Sequence, residues 1–272
     1  MTDRYAVIGN PVAHSKSPQI HAAFAQALGE DIEYGRLLAT SAGFRPSVER
    51  FREEGGRGLN VTVPCKEEAF RYADALSDRA RVAEAVNTLR FDAGRVFGDN
   101  TDGIGLVRDI TRNLGVSLAG KRVLLLGAGG AARGVLAPLL AEGPASLAIA
   151  NRDPAKAEAL AMRFGAGSRA IAYAALEGRS FDVVINATSA SLADLLPPVP
   201  RGIFAQRGLA YDMLYGKVDT PFLARARSEG VGCAADGSGM LVEQAAESYF
   251  VWRGIRPPTE AGFAALRRPQ ER

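Results

Sequence analysis

Glycines and a cation at fixed distances give the sequence its clearest chemistry. A short apolar run, Val123 to Leu126, ends at Gly127-Ala-Gly129-Gly130-Ala131-Ala132, and an apolar helical pattern follows to about Leu140. Strand, glycine turn and helix in that order form the context that a dinucleotide-binding turn needs. Gly127 permits the tight turn, Gly129 lets the backbone approach a pyrophosphate, and Ala132 lets the helix pack closely on the sheet. The helix start then offers unpaired N–H groups and a positive dipole end to that pyrophosphate. Further on, the apolar run Ser146 to Ala150 ends in Asn151-Arg152. An Asp or Glu there would hold the ribose hydroxyls of NAD, whereas a cation suits a 2′-phosphate and points to NADP.

A second group of polar residues gathers at the ends of strands in the first half. Lys66 comes just past the C-terminal edge of a strand reading Gly58-Leu-Asn60-Val-Thr62-Val63, after Pro64. Open α/β sheets place their ligands at that edge. Asn60 and Thr62 are spaced by two, so their side chains share a face. Ser15, Lys16 and Ser17 lie between the strand Arg4 to Gly9 and a helix opened by Pro18. Two hydroxyls and a cation in such a turn serve as ordinary caps or hold a carboxylate. Asp102, in Gly98-Asp-Asn-Thr-Asp102-Gly103, reads as the cap of a long helix patterned by Val107, Ile110 and Leu114. Gln244 falls in the apolar stripe of an amphipathic helix that begins at Met240. A polar side chain there must find a partner, and a ligand hydroxyl would serve. His14 and His21 read as surface or packing residues, and Cys65 as packing.

The elements that must position these residues follow from the pattern. In the first half, strands at Arg4 to Gly9, Ile32 to Leu38 and Gly58 to Val63 alternate with helices. A hairpin turned by Asp92-Ala-Gly94 comes next. The second half alternates strand and helix in the doubly wound manner, with further strands at Asp182 to Asn186, Gly208 to Met213 and Gly232 to Ala235. Helices from Met240 and over Thr259 to Leu266 close the chain. At 272 residues the length suits two domains. The net charge of +3, without a block of like charges, calls for a small anionic ligand rather than nucleic acid. Cys65 and Cys233 are far apart and the chain has two histidines, so no metal site is expected. There is no signal-type core and no apolar run of ~18 residues, so a soluble, cytoplasmic protein without a membrane role is expected.

Taken together, these stretches resemble the shikimate dehydrogenase family over nearly the whole chain. The resemblance rests on Val7-Ile-Gly-Asn-Pro-Val-Ala-His-Ser15-Lys-Ser17-Pro, Asn60-Val-Thr62-Val-Pro-Cys-Lys66, Ala85-Val-Asn87-Thr, the Asp102 segment and the Gly127 turn. It also rests on Asn151-Arg152, Asn186-Ala-Thr-Ser189, Tyr211-Asp-Met213 with Tyr215, and Asp236-Gly-Ser-Gly239-Met-Leu-Val-Glu-Gln244. It implies an α/β fold of two domains. A substrate-binding domain over 1–102 precedes a Rossmann NADP domain over 103–238, and C-terminal helices over 239–272 return to the first.

The activity implied is the reversible NADPH-dependent reduction of 3-dehydroshikimate to shikimate, a step of aromatic amino acid biosynthesis. Hydride delivery to a ketone leaves an alkoxide that must gain a proton. Lys66 is the expected acid and Asp102 its charged partner. By the same resemblance Ser15, Ser17 and Tyr215 hold the substrate carboxylate, and Asn60, Thr62, Asn87 and Gln244 read ring hydroxyls. Gly127, Gly129, Gly130 and Ala131 would carry the pyrophosphate. Asn151, Arg152 and Lys156 would take the adenosine phosphate, and Ala187, Met213 and Gly237 the nicotinamide end. The protein is expected to act as a monomer or homodimer. Three positions depart from the family pattern. Asp153 stands beside the expected 2′-phosphate, Lys156 replaces an arginine, and Ala190-Ser191 takes the place where a glycine is usual. Asp153 leaves open a paralogue that uses NAD, and the pocket near Ser15 and Thr62 would decide between shikimate and quinate; a catalytically silent NADP-binding sensor is a further alternative on the same fold.

Overall fold

The computed structural model describes residues 2–216 and 219–267. The chain divides into two compact units, one built from the chain up to Gly105 and again from Leu241, the other from Leu106–Met240.

In the first unit β1 (Asp3–Gly9), α1 (Ser17–Leu28), β2 (Ile32–Leu38), α2 (Phe44–Glu53) and β3 (Gly56–Val61) alternate as the sequence pattern requires. They are followed by α3 (Lys66–Tyr72), β4 (Ala75–Leu76), α4 (Asp78–Ala83), β5 (Thr88–Asp92), β6 (Arg95–Asp99) and α5 (Asp102–Arg108). The six strands form one mixed sheet in the order β2-β1-β3-β5-β6-β4. β1 pairs parallel with both β2 and β3, while β5 runs antiparallel to β3, with Asn60 opposite Thr88. That reversal brings the start of β5 and the end of β6 to the edge where β1 and β3 finish. The hairpin turns on Ala93 and Gly94, both at positive φ, as a two-residue loop of this kind demands. Ile8, Leu59, Val86 and Leu89 fill its core with no exposed surface.

The second unit contains β7 (Arg122–Leu126), α6 (Gly130–Ala141), β8 (Ser146–Ala150), α7 (Pro154–Phe164), β9 (Ser168–Ala170) and β10 (Phe181–Asn186). β11 (Phe204–Asp212), α8 (Pro221–Ser228) and β12 (Cys233–Asp236) complete it. The sheet order is β12-β11-β10-β7-β8-β9, entirely parallel, which is the Rossmann order with its switch point between β7 and β10. Val123 to Leu126 and Val183 to Ile185 are buried on both faces, which is why they read as unbroken apolar runs. Among the described residues no helix is long and apolar enough to cross a membrane.

Two expectations need correction. The helix from Asp102 is not α-helical throughout: it ends at Arg108 and continues as a π-helical turn over Asp109–Asn113. There the Asp109 carboxylate accepts from Tyr211 Oη at 2.6 Å and Asn113 Nδ2 at 2.9 Å. The last long helix, α9 (Ser238–Arg253), starts before Met240 and is not simply amphipathic. Val242 to Tyr249 are buried all round, and Glu247 is compensated there by Arg79 and Arg256. The short α4 and the helix α8 carry too weak an apolar period to stand out in the sequence. A final helix, α10 (Thr259–Arg267), packs on α1.

Candidate active site

Every predicted polar residue of the first unit sits at or beside the sheet edge where β1 and β3 end. Lys66 is the first residue of α3, and Asp102 the first of α5. The Lys66 ammonium donates to Asp102 Oδ2 at 2.5 Å, with the lysine side chain 19% and the aspartate 8% exposed. The second aspartate oxygen accepts from Asn87 Nδ2 at 2.8 Å, so the carboxylate faces its lysine in one fixed orientation. Asn87 is held in turn by its Oδ1, which accepts from the Thr101 backbone N–H at 2.8 Å and from Thr88 Oγ1 at 2.9 Å. An ammonium held this way can give or take one proton at a single place, and burial strengthens the pair's mutual attraction.

Gln244 enters the same cluster from α9. Its Oε1 lies 3.3 Å from Asn87 Nδ2, and its amide donates to Leu241 O at 2.8 Å. The partner that a buried glutamine demands is therefore largely protein. Gly105 makes the approach of α9 possible, because a Cβ there would come within 2.8 Å of the Gln244 backbone nitrogen. Asn60 is 5% exposed and tied on both sides of its carboxamide. Oδ1 accepts from Tyr34 Oη at 2.7 Å and lies 3.1 Å from His21 Nε2, while Nδ2 donates to Ser248 Oγ at 2.9 Å. His21, Tyr34, Thr88, Thr101 and Ser248 had no functional reading in the sequence, because their roles depend on contacts across the fold. Thr88 and Thr101 lie inside recognisable motifs.

The loop after β1 brings Ser15 and Ser17 together, 3.2 Å between hydroxyls, at the N-terminus of α1. The Lys16 side chain makes no cap bond, Ser15 Oγ accepts from the Ser17 N–H at 3.3 Å, and Arg36 fixes the loop by donating to Ser15 O at 2.8 Å. Hydroxyls at a helix start suit a carboxylate. Thr62 lies against the end of β1: a Cβ on Gly9 would meet the Thr62 methyl at 2.4 Å, so only glycine lets the two strand ends close up. Tyr215 belongs to the second unit.

In the second unit Gly127 has φ +110°, a conformation that favours glycine, and its α-carbon faces Ala187 O across the switch point. Gly129 and Gly130 open α6 with no protein atom close to where a Cβ of Gly129 would stand, leaving room for a phosphate on the helix N-terminus. Ala131 is half-buried next to them, and Ala132 is fully buried in the core. Asn151 is half-buried, and Arg152 and Lys156 are exposed, at the end of β8 and the start of α7. Asp153 does not compete for that space in the way its position suggested. It is the N-cap of α7, and Oδ1 accepts from the Ala155 N–H at 3.1 Å. Ala187 follows β10 with its N–H on Leu126 O, and Gly237 approaches Met213 so closely that a Cβ would meet the Met213 carbonyl oxygen at 2.3 Å. Ser191, the departure from the family glycine, donates to Asp212 Oδ2 at 2.7 Å, and the buried Asp212 also receives Thr220 Oγ1, Asn186 Nδ2 and the Leu214 N–H.

Burial pushes the His21 imidazole down to about 3, against the opposing effect of its bond to Asn60. The folded protein keeps it neutral, whereas an unfolded chain protonates it below its ordinary value of 6.5. Stability is therefore expected to fall as pH drops from about 6.5 toward 3. His21→Phe should show a shallower fall in urea unfolding over that range. An identical pH slope in both proteins would remove His21 from the effect.

Comparison with known proteins adds three family matches. Residues 7–89 match the shikimate dehydrogenase substrate binding domain, 109–195 match shikimate / quinate 5-dehydrogenase, and 237–267 match the shikimate 5′-dehydrogenase C-terminal domain. A shikimate dehydrogenase (NADP(+)) of Chromobacterium violaceum is 61% identical over 269 residues, covering 98% of each chain. The shikimate 5-dehydrogenase of Thermus thermophilus, solved with NADP(H) and shikimate, is 34% identical with TM-score 0.89, covering 98% of this chain and 99% of that one. A shikimate 5-dehydrogenase of Listeria monocytogenes solved with shikimate and NAD is 26% identical with TM-score 0.84, covering 97% of this chain and 96% of that one.

Proposed function

The chain belongs to the shikimate dehydrogenase family, and from that membership and the site geometry we propose that it interconverts 3-dehydroshikimate and shikimate with NADP(H). The observation that carries the reading is the Lys66–Asp102 pair, held at 2.5 Å within a cluster of hydroxyl- and amide-bearing side chains. NADPH, when bound, supplies the hydride. Lys66 protonates the oxygen that becomes the shikimate hydroxyl, and in the reverse direction it accepts that proton. Asp102 orients the ammonium and keeps its charge compensated through the transfer. Asn87, Gln244, Asn60 and Thr62 recognise ring hydroxyls, and Ser15, Ser17 and Tyr215 the carboxylate. A site built on such hydrogen bonds discriminates strongly against analogues that lack one group.

The residues present fit the dinucleotide. The open glycine turn at Gly127, Gly129, Gly130 and Ala131 receives the pyrophosphate, and Asn151, Arg152 and Lys156 the 2′-phosphate. Ala187, Met213 and Gly237 line the nicotinamide end. With the Asp153 carboxylate engaged by its helix, Arg152 is left to set the preference for NADP. Arg152→Ala should raise the KM for NADP by about tenfold or more and leave that for NAD nearly unchanged. Equal changes for both cofactors would count against Arg152 as the phosphate clamp. Two unpaired thiols, Cys65 and Cys233, suit the reducing cytoplasm, where we place the enzyme.

The test of the whole reading is the initial rate of cofactor reduction with shikimate or quinate crossed with NADP or NAD. Fast turnover confined to shikimate and NADP is expected. Comparable rates with quinate or NAD would move the protein to a paralogous activity. Binding of NADP without turnover in any combination would make it a sensor.

A further inference from the structure

We infer that His21 is a positioning residue for substrate recognition, which with Tyr34 holds the Asn60 carboxamide so that its N–H side faces the ring-hydroxyl site. The inference deepens the reading of Asn60 given above and rests on it.

The geometry is specific. His21 is fully buried on α1 and stacks flat on Tyr34, with centroids 4.4 Å apart and planes 7° apart. Phe24 meets its ring edge-on, and Trp252 closes over it at 5.2 Å. The ring has little freedom, and its Nε2 is aimed at Asn60 Oδ1. Its Nδ1 is buried without a hydrogen-bond partner among the described residues. A buried lone pair without a donor is less costly than a buried N–H without an acceptor, so the proton belongs on Nε2. Nε2 then donates to Asn60 Oδ1, where Tyr34 Oη also donates.

Two donors on one oxygen set the amide's orientation. The flipped amide would turn its NH2 toward Nε2 and force the imidazole proton onto the partnerless Nδ1. The neutral ring therefore selects the orientation in which Nδ2 points away from His21, giving one hydrogen to Ser248 Oγ at 2.9 Å. The second hydrogen is held only at long range, by Asn87 O at 3.4 Å and Thr88 Oγ1 at 3.5 Å, acceptors that a substrate oxygen would replace. Burial keeps His21 neutral, so the device operates without titrating in the working range.

The test is a double-mutant cycle read in steady-state kinetics. His21→Phe keeps the shape and the stacking but removes the donor. It should raise the KM for shikimate about tenfold, with kcat and the KM for NADP nearly unchanged. In an Asn60→Ala background the same change should have almost no further effect, because the group it positions is gone. His21→Gln, which restores an N–H donor, should recover most of the affinity. Tyr34→Phe, which removes the other donor to the same oxygen, should give the same signature and serves if His21→Phe does not fold. An additive effect in the double variant, or no rescue by glutamine, would overturn the role of His21 while leaving Asn60 as a substrate contact. An unchanged KM in Asn60→Ala would overturn both.

Discussion

Lys66→Ala should lower kcat about a thousandfold in both directions while leaving the KM for shikimate within a few-fold of its starting value. The reason lies in the geometry of the pair. In the proposed mechanism Lys66 exchanges a proton with the reacting oxygen, and the Asp102 carboxylate, itself fixed by Asn87, holds the ammonium in a single orientation. Removing the ammonium takes away an interaction needed most as charge develops on that oxygen. The hydrogen bonds proposed for Asn60, Thr62 and Gln244 to the ground-state substrate remain. Asp102→Asn gives the complementary expectation: its amide still fills the space, but it no longer compensates the ammonium, so kcat should fall less than in Lys66→Ala. Single-turnover rates of cofactor oxidation separate chemistry from product release. A Lys66→Ala enzyme with near-native kcat would remove Lys66 from the mechanism.

Asp212→Ala should destabilise the protein by about 3–5 kcal/mol. The Asp212 carboxylate has no exposed surface and receives four donors: Ser191 Oγ, Thr220 Oγ1, Asn186 Nδ2 and the Leu214 N–H. Truncation leaves all four without that acceptor in a site closed to water. The same four donors come from the segments that carry Ala187 and Met213, so NADP affinity should fall with stability. Urea unfolding and NADP titration on the same preparation measure the two effects. Near-native stability would show that the donors find other partners. Ser191→Gly, which restores the residue usual in the family, should cost less than Asp212→Ala, since it removes one donor and leaves the carboxylate in place.

The sequence by itself determined the parts of this protein that depend on local chemistry. Gly127 is legible because φ +110° at a strand-to-helix turn admits little else, and Val123 to Leu126 because a parallel strand buried on both faces must be apolar throughout. Ser15, Lys66 and Asp102 were legible as residues at the ends of strands or the starts of helices, where α/β sheets collect ligands. The motifs also named the family. What only the tertiary structure decided is how each polar group is satisfied. Asp153 looked like a hazard to a phosphate and is a helix cap. Gln244 looked like a ligand group awaiting a hydroxyl and is largely bonded within the protein. His21 looked like packing and aims a donor at Asn60. Glu247, for which the sequence offered no reading, is buried against Arg79 from a distant part of the chain and Arg256 just beyond its own helix. Periodicity reports which face of an element is apolar. It carries no information about a partner that arrives from a hundred residues away, and the orientation of a buried amide, carboxylate or imidazole is set by that partner.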